Sequence, residues 1–173
     1  MEHILELALK SADEAEVYKF DSEEIPVSFN ANHLKTVQSK QSTSISLRII
    51  KNGKLGYAAA SGEIDANKLV DTAIETSQFG INAKFNFPYF TEFPSVNIYD
   101  NAVIETQMSE MIEIGHGLID PLIKNTPGLL CDAGVSKSTC KLKVINSGGS
   151  RSEYNKTIFG IGVGGTLIRD TDM

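Results

Sequence analysis

Hydrophobic and polar positions alternate with a period of two through much of the first half of the chain. Ile25, Val27 and Phe29 alternate with shorter or polar residues, and so do Ile45, Leu47 and Ile49. That period belongs to half-buried strands. Asn52-Gly53 separates two such runs, and a type I′ turn, which needs φ > 0 at both central residues, favours this pair. A two-residue turn fixes the register: Lys51 faces Lys54, Ile50 faces Leu55 and Leu47 faces Ala58. Ile45, Leu47 and Ile49 then share a face with Gly56, Ala58 and Ala60, and large residues beside small ones leave a trough for a helix. The pattern supplies that helix at once. Ala66, Leu69, Val70, Ala73, Ile74 and Ser77 fall on one helical face. Asp65 is placed as its N-cap, Ile64 and Leu69 as a hydrophobic staple, and Gly80 as the C′ residue.

The rest of the chain is read in the same way. Residues 2–10 predict a short amphipathic helix with Ile4, Leu5, Ala8 and Leu9 as its apolar side. Ala15 to Asp21 predict a first strand. Pro26 cannot donate a ladder hydrogen bond, so the next strand is expected to be an edge there or to carry a bulge. Asn30-Ala-Asn-His predicts a turn, and Leu34 to Lys40 a returning strand. Between 81 and 102, Phe85, Phe87, Tyr89, Phe90, Phe93 and Tyr99 sit around Pro88 and Pro94 with no sustained period. So many rings argue against a disordered linker. They predict a strap pinned to the body, and intramolecular packing is favoured over a peptide-binding or dimer surface. Met108, Met111, Ile112, Gly115, Leu118, Ile119 and Leu122 resume a helical stripe over 106–124, with Pro121 expected to kink or break it. Leu129 to Ile168 read as strands joined by a Ser147-Gly148-Gly149-Ser150 loop.

These elements predict an α+β fold of two helix-plus-antiparallel-sheet units: 1–80, then a strap over 81–105, then 106–173. A weak internal repeat is visible at an offset of 116, where Asn30, Lys35, Lys40, Ile45 and Leu47 meet Asn146, Arg151, Lys156, Ile161 and Val163, while Val27 meets Lys143 and fails.

Composition narrows the function classes. The chain has 173 residues and a net charge of −6 with no Lys/Arg cluster. A duplex-binding surface wants a basic stripe, so no nucleic-acid partner is expected. No apolar run approaches 18 residues, so no membrane span is expected. The N-terminus is too short and too acidic for a signal peptide, which makes the cytoplasm the expected compartment. Cys131 and Cys140 lie in no metal-type spacing and read as reduced core or strand residues.

Reaction chemistry is sparse. Gly160-Ile-Gly-Val-Gly-Gly looks like a dinucleotide fingerprint, but such a loop must open a helix, and Thr166-Leu-Ile-Arg continues as strand. Gly160, Gly162 and Gly164 share one strand face, which predicts close approach by another element. His3, His33 and His116 are scattered, with no helical zinc pair among them. No Gly-x-Ser-x-Gly elbow, Walker loop or Cys-His arrangement occurs. No catalytic, cofactor-binding or metal-ligating residue is assigned.

Several stretches in order carry a family resemblance: Ala15-Glu-Val-Tyr, Asn32-His-Leu-Lys-Thr-Val-Gln, Ser44-Ile-Ser-Leu-Arg-Ile-Ile-Lys-Asn-Gly-Lys-Leu-Gly-Tyr-Ala-Ala-Ala-Ser, and Asp65 to Gln78. Together they resemble the N-terminal domain of the TldD/PmbA family, described as zinc-dependent peptidases and as modulators of DNA gyrase. Ser44 stands where the family commonly has glycine. Val96-Asn-Ile-Tyr-Asp and the strands around Asn146-Ser-Gly-Gly resemble the PmbA (TldE) branch. The His-Glu-x-x-x-His zinc motif of the TldD branch has no match here, so no ligand is carried over. The resemblance implies a non-catalytic domain of a PmbA/TldE-like subunit that helps enclose a peptide chamber, in a piece of a longer protein. It implies a TldD-like subunit or a homo-oligomer as partner, extended peptide as substrate, and zinc held by the TldD-type partner. The alternative is a free-standing binding or dimerisation module with no proteolytic role.

Overall fold

The computed structural model describes residues 1–89 and 93–168. Phe90 of the predicted strap and Arg169-Asp-Thr-Asp lie outside the described residues. In chain order the elements are α1 (Glu2–Leu9), β1 (Glu14–Asn30), β2 (His33–Val37), β3 (Lys40–Lys51), β4 (Lys54–Ser61), α2 (Ala66–Gln78), α3 (Asn101–Glu105), α4 (Met108–Asn125), β5 (Leu130–Asn146) and β6 (Arg151–Thr166). The six strands form one sheet in the order β4-β3-β1-β5-β6, with β2 also paired to β1. The fold is α+β.

Contacts divide the chain into two compact units, one from residues 1–22, 42–97 and 140–155, the other from 23–41, 98–139 and the described residues from 156 on. These units do not follow the contiguous 1–80, 81–105 and 106–173 reading. Each is assembled from three separated segments, because β1, β5 and β6 are long enough to contribute to both.

In the first unit the hairpin has the register its turn dictates: Lys51 opposite Lys54, Ile50 opposite Leu55, Leu47 opposite Ala58. Asn52 and Gly53 both take positive φ, 50° and 72°. Leu47 and Ile49 are fully buried beneath α2, in a cluster with Leu69, Val70 and Ala73 of that helix and Ile4, Leu5 and Ala8 of α1. Leu9 is left out, 40% exposed. Asp65 caps α2, its carboxylate accepting from the Asn67 and Lys68 N–H groups at 2.9 and 3.1 Å. Ile64 packs on the same cluster as Leu69, as the staple requires. Gly80 does follow the C-cap, but its φ is not positive. Glycine is needed there because any Cβ would collide with the Leu55 carbonyl.

In the second unit Val27, Phe29, Cys131, Ala133 and Val135 meet Met111 and Ile119 of α4 in a separate core. Cys131 and Cys140 are buried, free strand residues. The Asn30-Ala-Asn-His turn forms as expected. Ala31 and Asn32 have φ of 47° and 72°, an uncommon conformation for alanine. Asp132 holds it in place, accepting from the Ala31 N–H at 3.0 Å and from Asn30 Nδ2 at 2.8 Å.

β1 runs through Pro26 as one long strand and, as expected, carries an irregularity nearby, a register shift between Ser28 and Phe29 in its pairing with β2. The register Val27 opposite Val37 sets Pro26 across from Gln38, in the gap between β2 and β3, where no neighbouring strand needs its missing N–H. α4 continues through Pro121, so the break expected there as one of two outcomes is corrected. The carbonyl that loses its donor belongs to Gly117, and both residues lie on the solvent side, where water can serve instead.

The repeat is mixed. β1 and β5 are both 17 residues long and end on the matched Asn30 and Asn146. Yet Ile45 and Leu47 are buried whereas their counterparts Ile161 and Val163 are exposed.

Candidate functional site

The first unit carries an open groove of about 920 Å³, walled by Ala58–Ser61 of β4 on one side and by Ile64, Lys68, Leu69 and Thr72 on the other. Its origin lies in how α2 meets the strand. The two pack tightly at Gly56, where a Cβ would strike the Ala73 carbonyl.

The free edge of β4 is finished over only part of its length. Leu55 donates its N–H to the Ile81 carbonyl at 2.9 Å. One step along, Thr76 Oγ1 accepts from the Tyr57 N–H and donates to the Tyr57 carbonyl, each at 2.9 Å. A single hydroxyl therefore satisfies both outward backbone groups of Tyr57. Ala59 lies two residues on, so its N–H and C=O point the same way, into the groove. Thr72 and Lys68 stand one and two turns before Thr76 on the helix, beside this unoccupied edge. Among the described residues the arrangement offers an unpaired donor and acceptor along a strand, flanked by a hydroxyl and an ammonium. This is the chemistry of strand addition by an extended peptide.

The aromatic strap closes on the same unit at one point. Phe87 is 5% exposed, while Phe85, Tyr89, Phe93 and Tyr99 remain substantially exposed. Arg48 spreads over the Phe85 and Phe87 rings, 5.5 and 5.1 Å from their centroids, and pairs with Glu16 at 2.6 Å. Backbone groups are held as firmly. Glu14 accepts from the Phe87 N–H at 2.7 Å, and Asn146 Nδ2 and Ser150 Oγ both donate to the Pro88 carbonyl, at 3.0 and 2.8 Å. The strap is pinned by the buried Phe87 ring, the Arg48 contact and these polar clamps.

The three histidines are dispersed over α1, β2 and α4; His116 stands edge-on to Phe29 with ring centroids 5.0 Å apart. Among the described residues no three His, Cys, Asp or Glu side chains are grouped so as to hold a metal ion, so these residues do not fit a zinc site. The glycine motif lies inside β6 and opens no helix. The close approach expected along it is corrected: Gly160 has Ser136 Oγ nearby, but nothing described lies close to Gly162 or Gly164. Sequence reading missed the groove. Its one visible trace is the i, i+4 row Lys68, Thr72, Thr76 on the border of the buried stripe of α2.

Residues 15–77, the segment that builds the hairpin, groove and helix, match the family model for PmbA/TldA metallopeptidase domain 1. Over this segment the chain is similar to the TldD/PmbA family. Its fold matches that of TldE from Thermococcus kodakarensis, with a TM-score of 0.81 over 100% of this chain and 40% of that one, at 15% identity. A candidate modulator of DNA gyrase from Bacteroides thetaiotaomicron gives 0.81 over 99% of this chain and 41% of its own, at 13% identity. One from Thermotoga maritima gives 0.74 over 98% and 42%, at 14% identity. The uncharacterized protein MJ0231 of Methanocaldococcus jannaschii is 26% identical over 159 residues, 92% of this chain and 37% of that protein. The chain thus spans about two fifths of the length of these family relatives. Among the described residues no helix is long and apolar enough to cross a membrane.

Proposed function

We propose that this chain is the substrate-handling, non-catalytic N-terminal part of a PmbA/TldE-like subunit in a TldD/TldE-type metallopeptidase. It helps enclose the peptide chamber and presents the open edge of β4 to an extended peptide. Zinc belongs to a TldD-like partner subunit. The match of residues 15–77 to the family's first domain supports the assembly. The observation that carries the peptide reading is the edge of β4, finished by Ile81 and Thr76 up to Tyr57 and open from Ala59 onward.

The test is amide chemical-shift mapping of the 173-residue chain titrated with an unstructured casein digest. Shifts should concentrate at Ala59, Ser61, Lys68 and Thr72. Ala59→Pro removes the outward N–H at a position where edge strands tolerate proline, and should abolish those shifts while leaving the melting temperature in place. Shifts scattered elsewhere, or unchanged in Ala59→Pro, would overturn the assignment.

A further inference from the structure

The edge of β4 is closed at one end, and the first open group after the closure is a donor. Outward backbone groups recur at every second residue of the strand, N–H before C=O. Ile81 takes the Leu55 N–H, and Thr76 Oγ1 serves both groups of Tyr57. The next group along is the Ala59 N–H. An extended peptide lying on this edge cannot run on past Tyr57, because Thr76 stands in its path and residues 81–83 occupy the edge beyond. One end of the peptide therefore stops beside Ala59.

Polarity decides which end. β4 runs from the closed end toward the open one. A peptide antiparallel to it brings its carboxyl end to Ala59, and a parallel one brings its amino end. A terminal carboxylate accepts from the Ala59 N–H in a charge-assisted hydrogen bond. A terminal ammonium would set donors against that donor. The helix wall favours the same sign. α2 runs back along β4; one helical turn advances about 5.4 Å and two strand residues about 6.6 Å, so Thr72 stands level with Ala59 as Thr76 does with Tyr57. Its hydroxyl is a second donor. Among the described residues lining the groove Lys68 is the sole cation. The carboxylates in the lining, Glu63 and Asp65, lie after Ser61 at the opposite end, and Asp65 is engaged in capping α2. The chain already uses this polarity, since Asn82 pairs antiparallel with Lys54 on the same edge.

We propose that the β4 groove receives the free carboxyl end of an extended peptide, antiparallel to the strand, with the carboxylate on the Ala59 N–H and the Thr72 hydroxyl and in the field of Lys68. The proposal rests on β4 as the peptide edge and adds the direction and the class of ligand. In this register the penultimate residue faces Ala60. Its side chain points to the α2 side, where Ala60 and Ile64 pack on the core, so an apolar penultimate residue suits the groove.

Amide shifts of the 173-residue chain are mapped with N-acetyl-Gly-Ser-Ala-Ser-Leu-Ala as the free acid, with the same peptide as its carboxamide, and with a carboxamide whose amino end is free. The free acid should shift Ala59 and Ser61 and bind about tenfold more tightly than either carboxamide, the worth of one hydrogen bond to a charged group. Thr72→Val keeps a β-branched residue at an exposed helical position, so the variant should fold. It should weaken the free acid about threefold to tenfold and leave the carboxamides unchanged. Equal binding of acid and carboxamide at Ala59 and Ser61, tighter binding of the free amine, or a free acid indifferent to Thr72→Val overturns the carboxyl-end assignment and leaves β4 as the peptide edge. Absence of shifts at Ala59 and Ser61 with all three peptides defeats the edge itself, and this proposal with it.

Discussion

The two end strands of the sheet are finished in opposite ways. β4 is roofed by α2, its small residues accept the helix closely, and two successive outward positions are satisfied, one by Ile81 and one by Thr76. The second half of β6 has the same alternating backbone and is also rich in small residues, yet nothing described meets its outward groups. The contrast shows that small residues on a strand do not by themselves say what covers it. Gly56 is small because Ala73 is in contact; Gly162 and Gly164 are small with open space around them.

The largest effect should separate the roofed strand pair from the bare one. Leu47→Ala, in the β3 row beneath α2, should cost about 2–5 kcal/mol, as buried leucines do. Val163→Ala on β6 should stay within about 0.5 kcal/mol under monomeric conditions. Chemical denaturation of both variants measures the difference, and equal losses would erase the distinction. A smaller effect tests how β4 is finished. Thr76→Val keeps the shape but removes the hydroxyl from Tyr57, and should cost about 0.5–1.5 kcal/mol, with faster hydrogen exchange at the Tyr57 amide.

The smallest effect contrasts the two halves of β6 itself. Its first half carries Glu153, which pairs with Lys141 at 2.6 Å and Lys143 at 2.7 Å. Hydrogen bonds from Lys141 and then Lys143 hold this carboxyl below its ordinary value of 4.5. A depressed carboxyl stabilises the fold above its unfolded-state pKa, and that contribution is lost as pH falls through the lower folded value. Glu153→Gln should therefore flatten the pH dependence of the melting temperature just below pH 4.5 and leave the uncharged half of the strand unaffected. Identical profiles for variant and parent would show that the pairing contributes nothing.

What could be read from the sequence was what adjacent residues decide. Asn52-Gly53 sets a turn, the turn sets the register, and the register sets the trough that α2 fills. Asp65 and the Asn30 turn are equally local. Pro26 signalled a bulge or a local edge, and β1 has its register shift at Ser28–Phe29; the gap between β2 and β3 that Pro26 faces exists only once the sheet has formed. The exposure of Ile161 and Val163 was hidden for a related cause: alternation identifies a strand but not whether anything covers it. The groove depends on the angle between α2 and β4, which no short stretch encodes. The strap was legible as ordered, but its polar clamps at Glu14, Asn146 and Ser150 lie far from it in sequence.

The place of β1 between β3 and β5 has a consequence for biosynthesis. About a hundred residues separate the end of β1 from the start of β5, and at about 5–20 residues per second the ribosome needs roughly five to twenty seconds to supply them. Throughout that interval the nascent chain holds a 17-residue strand whose β5 side has no mate, so the newborn protein is most vulnerable to mispairing before β5 emerges.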